Sequence, residues 1–475
     1  MHTLKWKNIT NENRIPYQIK MNDYRNYRSE IESDYLRIIS SASFRRLQDK
    51  TQVFPLDQSD FVRTRLTHSM EVSSIAKVIG KQICRSIHTQ KLEREDALPD
   101  TLKVVETLNC AGLLHDLGNP PFGHFGETAI RNWFKQHLDT KTWKQKPLSA
   151  YLNEAQKLDF LYYEGNAQAL RIITRLHRHV GDNGMHLTAC VLDSIIKYPT
   201  DSLTKRKEDE KEKKQRSLLK KKIGYFQSER ELFMEIKHHT GCENCRNPLA
   251  FILEAADDLA YTFADLEDGY NKGLYCMEDL LEIIHQAEDE NGETYLKKAY
   301  ENACAIKGNK EKGFDPKKQA VFHWLSSKQL YCISKVAQAF IDHYDAIMQG
   351  RFEQELIAVS EEARLIQSLK RFAFTRIYTI APILKLELMG NEILTFLLDR
   401  FMDALIVYDS EEQMSDIQKK YIDLLSRNYL DAYHRAAMNK EEEEKLYDRL
   451  LLGCDFISGM TDSYAKRLYQ ELKGI

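Results

Sequence analysis

The sequence predicts an all-α protein, and three observations carry that prediction. Long stretches repeat apolar residues at helical spacing, and no run alternates with a period of two for long. The chain of 475 residues holds ten prolines and twenty glycines, so few positions would break a helix. Its 43% hydrophobic content is enough for a sizeable buried core. We therefore expect a helical core with helical C-terminal and peripheral extensions.

Helical periodicity is strongest in two early segments that also carry polar residues of chemical interest. In residues 65–87 and 104–117, apolar side chains recur every three or four positions and mark one face of each helix. The same spacing predicts helices at residues 165–176, 248–267, 326–348, 365–380, 390–407 and 414–435. Most of the ordered chain is thus assigned to helices.

Composition divides the chain into three predicted regions. Residues 1–35 are polar and aromatic and are predicted to form an N-terminal arm packed on the body of the protein. Residues 36–285 are predicted to hold the catalytic core, and residues 286–475 a helical C-terminal region. Within the core, residues 201–222 are a charged insert, interpreted as a solvated loop or frayed helix whose basic end could face a polyanion. Residues 285–318 are interpreted as another surface excursion.

Charge and cysteine content limit the classes of function. The chain carries 68 basic and 71 acidic residues, which argues against a global nucleic-acid footprint but permits a local basic face. Its nine cysteines follow no disulfide framework. The first residues lack the apolar core of a signal peptide, and no apolar stretch is long enough for a membrane span. We expect a reduced, cytoplasmic protein without a membrane partner.

The dipeptide His115-Asp116 is the first candidate pair of metal ligands. It ends an apolar helical run, and Gly118 and Pro120 then stop the helix. Adjacent side chains on a regular helix diverge by ~100°, so two neighbours bind one ion only near such an irregularity. Polar groups at a buried helix end also need a partner. The ordinary alternative is a buried histidine that is simply hydrogen-bonded.

His68 and Asp257 lie in two other predicted helices and complete the candidate set. Arg65 lies one turn before His68, so an ion and a guanidinium could share a phosphate there. Asp257 borders an apolar stripe, and Tyr261 and Asp265 follow it on the same face. The alternatives are a surface arginine with a capping histidine, and a solvated helix edge. Two imidazoles and two carboxylates suit one divalent metal, Mg²⁺ or Mn²⁺ or another transition metal, which can activate water against a phosphate.

His124 and Glu127 form a candidate acid–base pair in a glycine-rich segment. The two residues are three positions apart, within reach of each other if a helix begins there. A carboxylate next to an imidazole keeps that imidazole protonated or correctly oriented, so the pair could donate a proton to a leaving oxygen. An ordinary histidine in a turn is the alternative.

A second metal signal lies at Cys242 and Cys245, which follow His238-His239 and have the spacing of half a zinc site. No second pair follows at the expected distance, so a plain reduced loop is the preferred interpretation. The chain also lacks a phosphate-binding P-loop, a dinucleotide-binding glycine motif and a nucleophile elbow.

Over nearly its whole length, the chain resembles the bacterial deoxyguanosine triphosphate triphosphohydrolase (dGTPase) branch of the HD-domain superfamily. The matching stretches are SFRRLQDKTQVF at residues 43–54, RLTHSMEV at 65–72, the run at 115–127, EGNAQ at 164–168, the run around Asp257 and DFISGMTD at 455–462. So many matches in the same order are not a coincidence. The resemblance implies an HD-domain helical core.

The resemblance also implies a reaction, namely cleavage of a deoxynucleoside triphosphate between the deoxyribose oxygen and the α-phosphate to give nucleoside and intact triphosphate. The metal ligands match His68, His115, Asp116 and Asp257, and the catalytic pair matches His124 and Glu127. The sugar contacts match Gln52, Tyr261 and Asp265, and the triphosphate contacts match Arg65, Lys197, Tyr198 and Lys222. The ring at Tyr261 would leave no room for a ribose hydroxyl. Family members assemble as oligomers, often hexamers.

Three alternative functions stay open from the sequence. The base-recognising residues are not readable, so a broad-specificity dNTPase that nucleotides activate within an oligomer is one alternative. Another HD phosphohydrolase, acting on monophosphates or cyclic nucleotides, is the second, although Arg65 and Tyr261 argue against it. The third is a single-stranded nucleic-acid-binding protein, although the balanced charge is compatible only with weak single-stranded DNA binding.

Overall fold

The structure is a computed structural model that describes residues 3–16, 28–54, 56, 61–177, 183–305 and 314–475. Regular structure in these ranges is almost entirely helical, which confirms the predicted fold class. A short antiparallel hairpin joins β1 (Thr142–Trp143) to β2 (Lys146–Pro147). None of the described helices is long and apolar enough to cross a membrane.

The helices follow one another through short connections. The first eleven are α1 (Trp6–Ile9), α2 (Glu30–Ser40), α3 (Ala42–Arg46), α4 (Arg65–Gln90), α5 (Thr101–Leu114), α6 (His124–His137), α7 (Glu154–Leu161), α8 (Gly165–Arg171), α9 (Ala189–Ser194), α10 (Ser202–Asp209) and α11 (Arg230–Thr240). The others are α12 (Pro248–Asn271), α13 (Met277–Gln286), α14 (Glu290–Ala305), α15 (Pro316–Asp342), α16 (Tyr344–Met348), α17 (Ala363–Ala373), α18 (Ala381–Leu405), α19 (Asp416–Asp423), α20 (Arg427–Ala437), α21 (Lys445–Ser458) and α22 (Asp462–Lys473). Two π-helical turns, Ile172–Leu176 and Phe374–Tyr378, extend α8 and α17.

Side-chain caps fix where the three site-bearing helices begin. The Thr64 hydroxyl accepts a hydrogen bond from the backbone of Thr67 at the start of α4. The Asp100 carboxylate caps α5 in the same way, and Asn247 followed by Pro248 begins α12. These caps satisfy backbone N–H groups that would otherwise lack partners, and so they set the register of each helix along its length.

The first apolar core is built where α4, α5, α12 and α15 pack together. Gly112 of α5 lies directly against α4, because a β-carbon added there would be 2.4 Å from the Ser73 Cα. The absence of a side chain therefore lets the two helices approach closely. This approach brings His115 and Asp116, which directly follow α5, beside the first turns of α4, which carry His68.

A second apolar core joins α6 to the C-terminal helices α18, α20 and α21. Beside it, the fully buried Arg171 of α8 donates hydrogen bonds to both carboxylate oxygens of Asp455 in α21, at 2.8 and 2.7 Å. The same guanidinium donates to Glu229 at 3.0 Å. Buried charges that are paired in this way hold the elements that carry them in a fixed relative position, because separating the pair would leave an uncompensated buried charge.

Several predicted helix boundaries shift in the structure. The helix predicted at residues 326–348 begins earlier, at Pro316, and α15 ends before His343. The helix predicted at 390–407 likewise begins earlier, as α18. The segment 414–435 forms two helices rather than one, because the backbone leaves helical geometry at Ser426, where ψ is 133°. Periodicity continues across such a break, so the sequence pattern did not reveal it.

Within residues 285–318, interpreted as a surface excursion, residues 290–305 form α14, whose side chains are mostly exposed, and residues 306–313 lie outside the described residues. This helix buries Leu296 completely in the first core, and the Gly292 carbonyl accepts a hydrogen bond from the Trp324 indole at 3.0 Å. The insert 201–222 contains α10 and otherwise short turns with mostly exposed side chains, as expected of a solvated segment. The three-region division of the chain stays a prediction.

Candidate active site

Four predicted metal ligands from three helices converge at one point. The Nε2 atom of His68 lies 3.1 Å from Asp257 Oδ1, and Nε2 of His115 lies 3.6 Å from the same oxygen. His115 Nε2 is also 3.5 Å from Asp116 Oδ1. The ligand atoms of His68, His115 and Asp116 all lie within 4.8 Å of one another. The cluster is therefore small enough to surround a single ion.

The hydrogen bonding of His115 shows that this cluster fits a cation. Its Nδ1 lies 2.8 Å from the Gly112 carbonyl, which can only accept, so Nδ1 carries the hydrogen. The Nε2 atom is buried, has no hydrogen-bond partner among the described residues, and faces the carboxylates of Asp116 and Asp257. A buried lone pair beside two anions is unfavourable unless a positive charge lies between them. A divalent metal with mixed N/O ligands supplies that charge.

The electrostatics of the cluster agree with this assignment. Burial acts to lower the pKa of His115, but the neighbouring Asp116 and Asp257 carboxylates outweigh it and raise the pKa to about 9. Burial acts to raise the pKa of Asp116, but His115 and Arg65 lower it to about 2. The two carboxylates thus favour a positive charge beside His115, which is what a bound metal would supply.

Arg65 supports a metal ligand in this structure. Its guanidinium is buried and donates from Nη1 to Asp116 Oδ2 at 2.5 Å. The other oxygen of that carboxylate accepts from the Asn119 side chain at 2.6 Å. Asp116 is therefore held from both sides, as outer partners commonly hold a metal-ligating carboxylate. The predicted phosphate contact of Arg65 stays a prediction.

His124 and Glu127 meet at the first turn of α6. The His124 Nδ1 atom lies 3.0 Å from Glu127 Oε2, and Oε1 of the same carboxylate accepts a hydrogen bond from the Gly165 amide at 2.8 Å. Burial acts to raise the pKa of Glu127, but the contact with His124 and the Gly165 amide outweigh it and lower the pKa to about 2. The carboxylate is thus ionised and fixed, and it orients the imidazole toward the neighbouring cavity.

A cavity of about 900 Å³ opens next to the metal cluster, large enough for a nucleotide with three phosphates. Twelve of the thirteen predicted site residues line it, namely Gln52, Arg65, His68, His115, Asp116, His124, Lys197, Tyr198, Lys222, Asp257, Tyr261 and Asp265. The thirteenth, Glu127, lies behind His124. The tertiary structure therefore gathers residues that are up to about two hundred positions apart into one site.

Comparison with known proteins identifies the family. Residues 65–193 match the HD domain, and residues 356–471 match the phosphohydrolase-associated domain. The chain is 44% identical to a deoxyguanosinetriphosphate triphosphohydrolase-like protein of Listeria innocua, over 99% of this chain and 100% of the relative. The protein belongs to the dGTPase family of HD-domain phosphohydrolases. The metal-dependent HD domain includes the candidate ligands His68, His115 and Asp116.

More distant relatives in the dGTPase family also match over nearly full length. A deoxyguanosinetriphosphate triphosphohydrolase of Salmonella arizonae is 33% identical over 97% of this chain and 99% of the relative. A triphosphohydrolase-like protein of Synechocystis is 32% identical over 99% of this chain and 100% of the relative. This coverage includes the candidate ligand Asp257, which lies outside the HD-domain match.

The cavity of this dGTPase-family chain is lined in part by lysines that carboxylates hold in place. The Lys222 Nζ atom lies 2.6 Å from Glu164, and the Lys197 Nζ atom lies 3.3 Å from Glu254. Tyr198 is buried beside Lys197, whose Nζ atom is 5.8 Å from the centre of its ring. An anionic ligand could form ion pairs with both lysines without a large rearrangement.

The cavity lining also contains Tyr261 and the buried Asp265, whose carboxylate accepts a hydrogen bond from the Tyr378 hydroxyl. Burial raises the pKa of Asp265 to about 7. Lys370 pairs with Asp258 at 2.8 Å and lies 5.1 Å from the centre of the Tyr261 ring. Sequence reasoning missed Lys370 and Tyr378, because both lie more than a hundred residues after their partners in a helix with no distinctive motif.

The paired cysteines do not form a metal site within the described ranges. No group of three metal-ligating side chains surrounds Cys242, which is buried, or Cys245. His238 instead contacts Glu243 at 2.9 Å, and His239 lies 3.3 Å from the Asn13 side chain. The interpretation as a reduced loop is therefore favoured over a structural zinc.

Proposed function

We propose that this protein hydrolyses deoxynucleoside triphosphates, with dGTP as a substrate, to the deoxynucleoside and intact triphosphate. One observation carries the proposal: His124, backed by a buried carboxylate, opens into the same cavity as the metal cluster. The lysines that line this cavity suit a polyphosphate, and Tyr261 and Asp265 in the same lining suit a deoxyribose. The names of the relatives agree with this substrate class.

The protein's own residues would divide the reaction between them. A divalent ion, Mg²⁺ or Mn²⁺, held by His68, His115, Asp116 and Asp257, would polarise the α-phosphate and acidify a water molecule. As water adds to phosphorus and the bond to the 5′-oxygen breaks, His124 donates a proton to that leaving oxygen. Glu127 keeps the imidazole oriented for the transfer.

Binding residues would position the substrate without taking part in bond cleavage. Lys197, Tyr198 and Lys222 would hold the outer phosphates, and Arg65 would act beside the α-phosphate while it supports Asp116. Gln52 has a buried side-chain oxygen without a partner among the described residues, as suits a group that awaits the sugar 3′-hydroxyl together with Asp265. Tyr261 would exclude a 2′-hydroxyl by contact with C2′.

We also propose that the chain acts as a homo-oligomer, with a hexamer as the expected form. Phe374, Leu384 and Leu388 are exposed apolar side chains around the cavity mouth or next to it in α18. Exposed apolar patches of this kind commonly mark subunit contacts. Light scattering on the purified protein measures the assembly directly, and a monomer under all nucleotide conditions would contradict the proposal.

Product analysis by anion exchange tests the reaction. Purified protein is incubated separately with each of the four dNTPs and with GTP, in Mg²⁺ or Mn²⁺. Deoxynucleoside together with intact triphosphate is the expected result, and the relative rates rank the bases. Monophosphate with pyrophosphate, or no turnover even with mixed dNTPs as activators, would contradict the proposal.

A further inference from the structure

The turn that connects the metal ligands to His124 has an unusual backbone. Two consecutive residues before His124, Phe122 and Gly123, have positive φ angles of 62° and 60°. A bulky L residue rarely adopts such a conformation, which persists only when the surrounding structure enforces it. Because α6 begins at His124, the shape of this turn sets where the imidazole and Glu127 enter the site.

The C-terminal region holds Phe122 in this conformation. Its side chain is buried in the second core, and its ring lies against Gly390 of α18, where an added β-carbon would be 2.8 Å from the ring. Its backbone N–H donates a hydrogen bond of 3.0 Å to Oδ1 of Asp462. Both contacts come from α18 and α22, within the phosphohydrolase-associated match.

Asp462 joins this turn to a second part of the site. It is the first residue of α22 and is 1% exposed. Its Oδ2 atom accepts hydrogen bonds from the Thr51 backbone N–H, at 3.0 Å, and from the Thr51 hydroxyl. Thr51 directly precedes Gln52, whose side chain lines the cavity. One buried carboxylate therefore fixes the segments on both sides of the candidate site.

Lys50 makes a parallel connection one residue earlier. Its buried Nζ atom donates to the Asn119 carbonyl of the same turn at 2.6 Å and to the Ser458 carbonyl at the end of α21 at 2.7 Å. Residues 50 and 51 thus lie between the turn and the C-terminal helices. Lys50 bonds to the turn and to α21, and Thr51 bonds to Asp462, which in turn bonds to Phe122. This double connection makes the placement of the turn depend on the C-terminal helices.

We infer that Asp462 is a positioning residue, which sets the turn before His124 and the segment carrying Gln52 in a fixed relation. The inference rests on the proposed function for its effect on turnover. Through Asp462, the C-terminal phosphohydrolase-associated region completes the active site rather than merely covering the HD core. The metal ligands His115 and Asp116 precede the turn, and Asp116 is held by Arg65 and Asn119, so we expect metal binding to survive replacement of Asp462.

The test compares Asp462→Ala and Asp462→Asn with Gln470→Ala, a control at an exposed position of the same helix. Hydrogen exchange of the peptide covering residues 117–126 is measured without substrate, with metal content and dGTP turnover alongside. We expect Asp462→Ala to speed exchange at Phe122 and lower kcat by about a hundredfold, the loss typical of a small misplacement, with metal retained and KM changed less. Asp462→Asn keeps one acceptor oxygen, so its exchange rate and its kcat should fall between those of wild type and Asp462→Ala.

Unchanged exchange in the folded Asp462 variants would overturn the inference, as would faster exchange with unaltered kcat. If Asp462→Ala does not fold, Asp462→Asn carries the same comparison. Because exchange is measured on the free protein, it tests the connection even if wild-type protein turns over no dNTP. Absence of dNTP turnover would contradict the proposed function. Hydrogen exchange alone would then decide whether Asp462 positions the turn.

Discussion

The Nδ1 atom of His124 lies 3.0 Å from Glu127 Oε2, yet the two side chains differ sharply in their exposure to solvent. The imidazole side chain is 74% exposed, whereas the carboxylate side chain is 2% exposed. A fixed, ionised acid behind an accessible imidazole is the arrangement that an acid–base pair needs. This geometry supports the proposed roles, with proton transfer by His124 and orientation by Glu127.

Replacing His124 should separate chemistry from metal binding. His124→Ala is expected to retain bound metal and to lower kcat roughly 10²–10⁴-fold, the usual contribution of a general acid. Metal content by mass spectrometry and turnover of dGTP check the two parts. Loss of metal in this variant would instead place His124 among the ligands.

Replacing a ligand should remove metal and activity together. His115→Ala and Asp257→Ala each delete one ligand from a four-residue set, so bound metal and turnover are expected to fall in parallel. His88→Ala is a suitable control, because this residue also lies in α4 but at its far end from His68. A ligand variant that kept its metal and lost only activity would contradict the assigned role.

The Glu127 carboxylate should make stability depend on pH in acid. Its pKa is lowered from 4.5 to about 2 in the folded protein: burial opposes the shift, and His124 and Gly165 produce it. A lowered carboxyl pKa contributes stability that is complete above about 4.5 and is lost as pH falls toward 2. The difference in Tm between wild type and Glu127→Gln should therefore shrink as the pH falls from about 4.5 toward 2. A difference that stays constant with pH would argue against an ionised Glu127.

Tyr261 should decide between deoxyribose and ribose. Tyr261→Ala is expected to admit GTP and to reduce the preference for dGTP by roughly 10–200-fold, the range for one small group in a fitted pocket. Tyr261→Phe keeps the ring and should keep the rejection. Parallel kcat/KM measurements with dGTP and GTP decide the matter, and unchanged rejection of GTP in Tyr261→Ala would remove this role.

Helix content and the residue types of the site were predictable because both depend on local sequence. Apolar spacing predicted the helices that carry His68, His115 and Asp257, and all three were found. Boundaries were less predictable where periodicity continues across a break, as at Ser426, or where charge conceals one apolar face, as around Leu296 in α14.

The sequence by itself determined the helical class and the set of chemically suited side chains, since propensity, capping and functional-group chemistry belong to individual residues. Only the tertiary structure decided which of them meet. Lys370 contacts Asp258, Tyr378 contacts Asp265, and Asp462 contacts Thr51, each across more than a hundred residues. Such contacts arise when helices bury their apolar faces against one another, and no local pattern in the sequence encodes which polar groups that packing brings together.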